Sequence, residues 1–126
     1  MLLQCTSPVR KPKDLDNAID FFYRKNADSL LSVVSFHRFI WSLNRYKLKP
    51  INFDYKNRPR SQDFQNKYLE TGSLYITKTD ILKNLKNRLG GKIIPFVMDF
   101  ITNFEIDNLD DIRLVEWAIK NYNLKS

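Results

Sequence analysis

The sequence predicts an α/β fold, and three observations carry that expectation. Leu2-Leu3 open an apolar, strand-like run that breaks at Thr6-Ser7-Pro8. Between Asp14 and Asn26, Leu15, Ala18, Ile19 and Phe22 recur at helical spacing. Leu30 to Val34 then forms a short run rich in β-branched residues. Strand, helix and strand in that order make a βαβ unit. Its first strand is expected to be buried.

Each later element follows from local pattern. In the helix over 14–26, Asp14 and Asp16 occupy the first turn, where the helix dipole favours negative charge. From Phe36 to Glu70 no helical period survives, and Pro50 and Pro59 interrupt the chain. Short strands and loops are expected there, as an irregular arm. Ser73 to Ile76 reads as a strand, and Thr79 is placed to cap a helix over 80–87 that closes before Gly90-Gly91. Lys92 to Met98 reads as a strand that Pro95 confines to a sheet edge. Phe104-Glu105-Ile106-Asp107 alternates with period two, predicting another strand. Asn108 then caps a helix over 109–122, with Asp110 and Asp111 in its first turn.

A chain of 126 residues is read as one domain, 1–126. The single cysteine, Cys5, and single histidine, His37, exclude a disulfide framework and a zinc cluster. No apolar run reaches the roughly 20 residues of a membrane helix, and the first residues carry no signal-peptide pattern. A cytoplasmic protein without membrane association is expected. The formal net charge of +7 is uneven. Thirteen basic and four acidic residues lie between Arg38 and Lys92, whereas acidic residues prevail after Ile93. A basic middle either attracts an anion, such as a nucleic acid, a nucleotide or an acidic sugar, or forms a solvated face.

Three constellations carry possible chemistry. In a strand, Glu105 and Asp107 project from one face about 7 Å apart. They either hold a divalent ion completed by water and phosphate oxygens, or form the polar side of an edge strand. Gln4 and Arg10 flank the exit from the first strand, where open α/β sheets bind ligands. Gln4 offers a donor and an acceptor and Arg10 a carboxylate- or phosphate-binding fork, unless both serve the local backbone. Arg58-Pro59-Arg60-Ser61-Gln62-Asp63 is a stiffened basic loop, suited to an anion clamp or a subunit interface. The aromatics between Phe36 and Tyr55 are read as packing rather than base-stacking groups, because no nucleic-acid-binding signature accompanies them.

Taken in order, these segments resemble the acylneuraminate cytidylyltransferase family, which makes CMP-activated sialic and related nine-carbon acids. Leu2-Leu3-Gln4-Cys5-Thr6-Ser7-Pro8-Val9-Arg10 is similar to its LLQPTSPLR segment, with Cys5 in place of proline. Ala27-Asp28-Ser29 through Val33-Val34-Ser35 is similar to its ADSVVSV strand. Arg60-Ser61-Gln62-Asp63 and Glu70-Thr71-Gly72-Ser73-Leu74-Tyr75-Ile76 resemble its RRQD and ENGAIYI stretches, with Thr71 where asparagine is usual. Phe104-Glu105-Ile106-Asp107 stands where the family has IDID, so Glu105 replaces an aspartate.

The resemblance implies a three-layer Rossmann-like sheet of the nucleotide-diphospho-sugar transferase type, partial, with an inserted dimerisation arm over 37–70. It implies transfer of CMP from CTP to a nonulosonic sugar acid, with pyrophosphate released, in a homodimer that feeds lipopolysaccharide or capsule synthesis. Asp107 and Glu105 would bind Mg²⁺, and Asp107 and Arg10 would be catalytic. Gln4, Arg60, Gln62, Glu70, Thr71 and Gly72 would contact substrate. Family members carry a glycine-rich CTP-binding loop ahead of the LLQ segment, so a carboxyl-terminal portion, inactive alone, is the corresponding expectation. The alternative is a non-catalytic anion or nucleic-acid-binding module built on the basic middle.

Overall fold

The computed structural model describes residues 1–60, 63 and 67–122. They fall into two compact units, one formed by Met1–Val34 with Leu69–Ser126 and the other by Ser35–Tyr68.

In the first unit β1 (Leu2–Leu3), α1 (Asp14–Arg24) and β2 (Ser29–Ser35) follow in the expected order. Then come β5 (Tyr68–Thr77), α2 (Thr79–Leu85), β6 (Ile93–Val97), a 3₁₀ turn (Phe100–Asn103) and α3 (Leu109–Asn121). The intervening β3 (Trp41–Asn44) and β4 (Lys47–Pro50) belong to the second unit. Among the described residues the main sheet has the order β1-β5-β2-β6. β1 runs antiparallel to β5, with Leu2 opposite Tyr75, and β2 runs parallel to β6, with Leu31 opposite Pro95. The fold is therefore α/β with a mixed sheet.

The core explains the placement of the helices. Ala18 and Phe22 of α1 are buried with Leu30, Leu74, Ile76, Ile94 and Met98, so one stripe of the helix covers the sheet. α1 ends in a Schellman arrangement: Ala27 N–H donates to the Phe22 carbonyl at 3.2 Å and Asn26 N–H to the Tyr23 carbonyl at 2.9 Å. Asn26 takes the left-handed φ of 46° that this turn requires. Val115 and Ala118 of α3 form a smaller cluster with Val9. Asn108 caps α3, its side chain accepting from the Asp110 and Asp111 amides. Asp28 ties β2 to its neighbours, accepting from Lys78 Nζ and from the Lys92 amide at 2.8 Å each. These two donors hold its carboxyl below the ordinary range.

Four local expectations are corrected. β1 is an exposed edge strand, with Leu2 and Leu3 at 44% and 40% exposure, because nothing among the described residues pairs with its outer side. β5 lies between β1 and β2, so those strands are not neighbours. Thr79 is the first helical residue of α2 and does not cap it; Lys78 is held at the cap position by its amide bond to the Asp28 carbonyl. α2 stops at Leu85 because Lys86 turns to a φ of 50°, ahead of the glycines.

A fifth correction bears on the site. Residues 104–106 form no strand and belong to no sheet, and Ile106 N–H donates to the Thr6 carbonyl at 2.8 Å. The capping box of α3 is the cause: Asp111 Oδ2 accepts from the amides of Asp107 and Asn108, which removes them from any ladder. Pro95 does lie in an edge strand, as its missing amide requires.

The second unit is built on an antiparallel hairpin with Trp41 opposite Pro50 and Leu43 opposite Leu48. Strand alternation puts these four side chains on one face and Lys47 and Lys49 on the other. Phe53 packs against Phe39 and Trp41 at ring distances of 4.6 and 5.1 Å, and the Arg58 guanidinium lies 4.3 Å from the Phe39 ring. The apolar face stays open, with Leu43 and Leu48 at 68% and 63% exposure.

Candidate functional site

The segment leaving β1 is fixed by a buried serine and a partly buried arginine. Ser7 is fully buried, and its hydroxyl donates to Glu105 Oε1 at 3.0 Å and to the Thr71 carbonyl at 3.2 Å. Arg10 Nη1 donates to the Ser7 carbonyl at 2.7 Å, the Ser73 carbonyl at 3.0 Å and Ser73 Oγ at 3.3 Å. Three stretches far apart in sequence, around residues 7, 72 and 105, thereby meet.

Gly72 sits at their junction with a φ of 64°, a conformation that disfavours every residue with a Cβ. A Cβ there would collide with Gln4 Oε1 and Glu105 Oε1, and would lie 3.3 Å from Ser7 Oγ. The side-chain oxygens of Gln4 and Glu105 thus converge over the open side of one glycine. Thr71 faces the other way: it is fully buried, and its hydroxyl donates to Ser32 Oγ at 2.7 Å. Ser32 Oγ also accepts from the Leu74 amide at 2.9 Å, so the buried polar groups close a satisfied network.

Beside this junction runs a groove of about 370 Å³ whose walls include Leu69, Leu114 and the carboxylates of Glu70, Glu105, Asp107 and Asp111. Three of the four are engaged. Glu70 accepts from the Tyr75 hydroxyl and lies 4.0 Å from Arg88 Nη2. Burial, followed by the Glu70 carboxylate, pushes the Tyr75 phenol up to about 12. Asp111 is spent on the α3 cap. Among the described residues no hydrogen bond or ion pair engages the side chain of Asp107, which is exposed, while half-buried Glu105 is held through one oxygen by Ser7.

The donor chemistry fits a small hard cation. Two carboxylates with free oxygens match an ion that keeps several waters and completes its shell with phosphate oxygens. They do not match a closed all-protein cage, and no group of three His, Cys, Asp or Glu side chains able to hold a metal occurs among the described residues.

Of the residues singled out from sequence, Gln4, Gly72 and Glu105 are brought together, with Asp107 and Glu70 along the adjoining groove. Arg10 lies behind the junction, with Nη1 directed to backbone carbonyls. Arg60 is an exposed residue of the hairpin unit whose carbonyl accepts from the Asp63 amide at 3.0 Å. Gln62 lies outside the described residues. Ser7 carries no functional signal in the sequence beyond its place between Gln4 and Arg10. Asp111 stands three residues after Asn108, the spacing of a capping box.

No protein-family profile matches the sequence. The chain is 32% identical over 124 residues to an N-acylneuraminate cytidylyltransferase of Oncorhynchus mykiss, covering 93% of the chain and 26% of that protein. It is 33% identical over 85 residues to N-acylneuraminate cytidylyltransferase A of Danio rerio, covering 64% of the chain and 20% of that protein. A post-translational flagellin modification protein B of Campylobacter coli is 27% identical over 126 residues, 98% of the chain and 54% of that protein. The chain thus spans from a fifth to about half the length of these curated relatives.

Proposed function

Since the chain belongs to the N-acylneuraminate cytidylyltransferase family, we propose that it supplies the sugar-acid and metal side of a site that transfers CMP from CTP to a nonulosonic acid. The observation that carries this reading is the convergence of Gln4 and Glu105 over Gly72, because the resemblance assigns those positions to substrate and metal independently.

In this reading the anomeric hydroxyl of the sugar acid attacks the α-phosphate of CTP and pyrophosphate leaves. Such a transfer depends on alignment and on neutralised phosphate charge. The Gln4 amide orients the sugar acid with one donor and one acceptor. Gly72 leaves room for a ligand edge beside the backbone. Glu105 and Asp107 would hold Mg²⁺, which would shield the charge of the triphosphate. Arg10 is a positioning residue, because its bonds to Ser7 and Ser73 set the strand exit that carries Gln4. Glu70, with its Tyr75 and Arg88 partners, forms the polar wall of the groove.

The homodimer expected for the family draws support from the hairpin unit, whose open face carries Trp41, Leu43 and Leu48. Arg60 lies in the same unit and accompanies that contact. A cytoplasmic location goes with the CTP requirement; among the described residues no helix is long and apolar enough to cross a membrane. The product would feed surface-glycan synthesis.

The direct test is binding of N-acetylneuraminic acid to the 126-residue chain, read by ligand-observed NMR. The expected result is saturable binding that Gln4→Ala weakens at least about tenfold, as loss of a bidentate amide implies. Absence of sugar-acid binding, together with salt-sensitive binding of single-stranded DNA that Gln4→Ala leaves unchanged, would instead establish the hairpin's basic side chains as a polyanion-binding module.

A further inference from the structure

Glu105 is one methylene longer than an aspartate, so its carboxylate samples more rotamers and needs more restraint to serve as a ligand. The restraint present is Ser7. Its side chain is fully buried and its hydroxyl reaches Glu105 Oε1 at 3.0 Å across 98 residues of sequence. The backbone of Ser7 is itself pinned: its amide donates to the Gln4 carbonyl at 3.3 Å, and its carbonyl accepts from Arg10 at 2.7 Å. The single hydroxyl proton is shared with the Thr71 carbonyl at 3.2 Å, which fixes the hydroxyl between β5 and residue 105. Gly72, next to Thr71, offers no Cβ, so the Glu105 oxygen lies where any other residue would exclude it.

We propose that Ser7 is the positioning residue of the cation site: its hydroxyl ties one oxygen of Glu105 against the Gly72 opening, and the other oxygen is left to bind the ion with Asp107. This rests on the metal reading given above. It goes beyond that reading by assigning a role to a buried hydroxyl that touches neither substrate nor metal. Hydrogen bonds to a metal-ligating carboxylate commonly govern affinity by one to two orders of magnitude, so Ser7 is expected to act on ion binding and not only on folding.

The test uses Mn²⁺ alone as the probe, titrated into the 126-residue chain and read from the electron paramagnetic resonance signal of free Mn²⁺. Ser7→Ala, Glu105→Gln and the double variant are compared. Glu105→Gln is expected to weaken Mn²⁺ binding at least about tenfold and Ser7→Ala about tenfold. Because Ser7 works through Glu105, adding Ser7→Ala to Glu105→Gln is expected to change affinity by less than about twofold. A Ser7→Ala protein with unchanged Mn²⁺ affinity, beside a weakened Glu105→Gln, overturns the role of Ser7 and leaves the metal reading standing. An unchanged Glu105→Gln removes both. Should Ser7→Ala fail to fold, Glu105→Asp replaces it: the shorter carboxylate forfeits the Ser7 bond and is expected to bind Mn²⁺ about tenfold more weakly. Equal or tighter binding by that variant overturns the proposal.

Discussion

Gly72→Ala is expected to abolish sugar-acid binding while leaving a folded protein. The backbone cost is the smaller effect. An alanine held at a φ of 64° is disfavoured by about 1–2 kcal/mol, which a well-packed domain survives. The new methyl also collides with Gln4 Oε1 and Glu105 Oε1. Both are tips of flexible side chains, so the fold relieves the collision by swinging them away. What is relieved for the fold is lost to the site, because the convergence of those two oxygens is the arrangement at stake. A displacement of about 1 Å in a positioned group costs on the order of 100-fold, and here two groups move together. Paired urea denaturation and ligand-observed NMR separate the effects. A small midpoint shift with affinity reduced at least about 100-fold is expected. Wild-type affinity in a folded Gly72→Ala protein would show that Gln4 and Glu105 do not act where they converge.

Arg10→Met has the opposite profile, with a large loss of stability. Nη1 supplies hydrogen bonds to the carbonyls of Ser7 and Ser73, both residues fully buried. Methionine keeps much of the apolar stem but donates nothing, so two carbonyls lose their charged donor. Each unsatisfied buried acceptor costs about 1–3 kcal/mol, and a combined loss of about 2–4 kcal/mol follows because Arg10 is partly exposed and water reaches the vacated position. The urea midpoint should fall accordingly, with an unchanged slope. If Arg10 served only to contact a ligand, the midpoint would stay at the wild-type value and affinity alone would change.

The two variants also mark what could be read from sequence. Positions 4, 10, 105 and 107 are legible as residue types suited to anion and cation binding, position 72 only through the family resemblance, and the cap at Asn108 fixed the start of α3 to the residue. The alternation at 104–107 predicted a strand, yet Asp111, four residues beyond Asp107, draws the local amides into a helix cap. Periodicity cannot express that competition. The position of β5 between β1 and β2 was equally hidden, since the residues separating it from its neighbours include the whole hairpin unit. A serine beside a proline reads as turn chemistry, so Ser7 carries no site signal in the sequence. Only its complete burial and its reach to a residue 98 positions away reveal a link between the strand exit and the carboxylate.

Whether Glu105 and Asp107 form one cation site beside Gly72 decides the proposed function. Paramagnetic broadening by sub-stoichiometric Mn²⁺ in the ¹⁵N-resolved NMR spectrum of the 126-residue chain measures this directly. The amides of Gly72, Glu105, Ile106 and Asp107 are expected to broaden first, and Asp107→Ala is expected to remove the effect. Broadening centred on the exposed acidic residues of α3, Asp110 and Glu116, with Gly72 and Glu105 untouched, would contradict it.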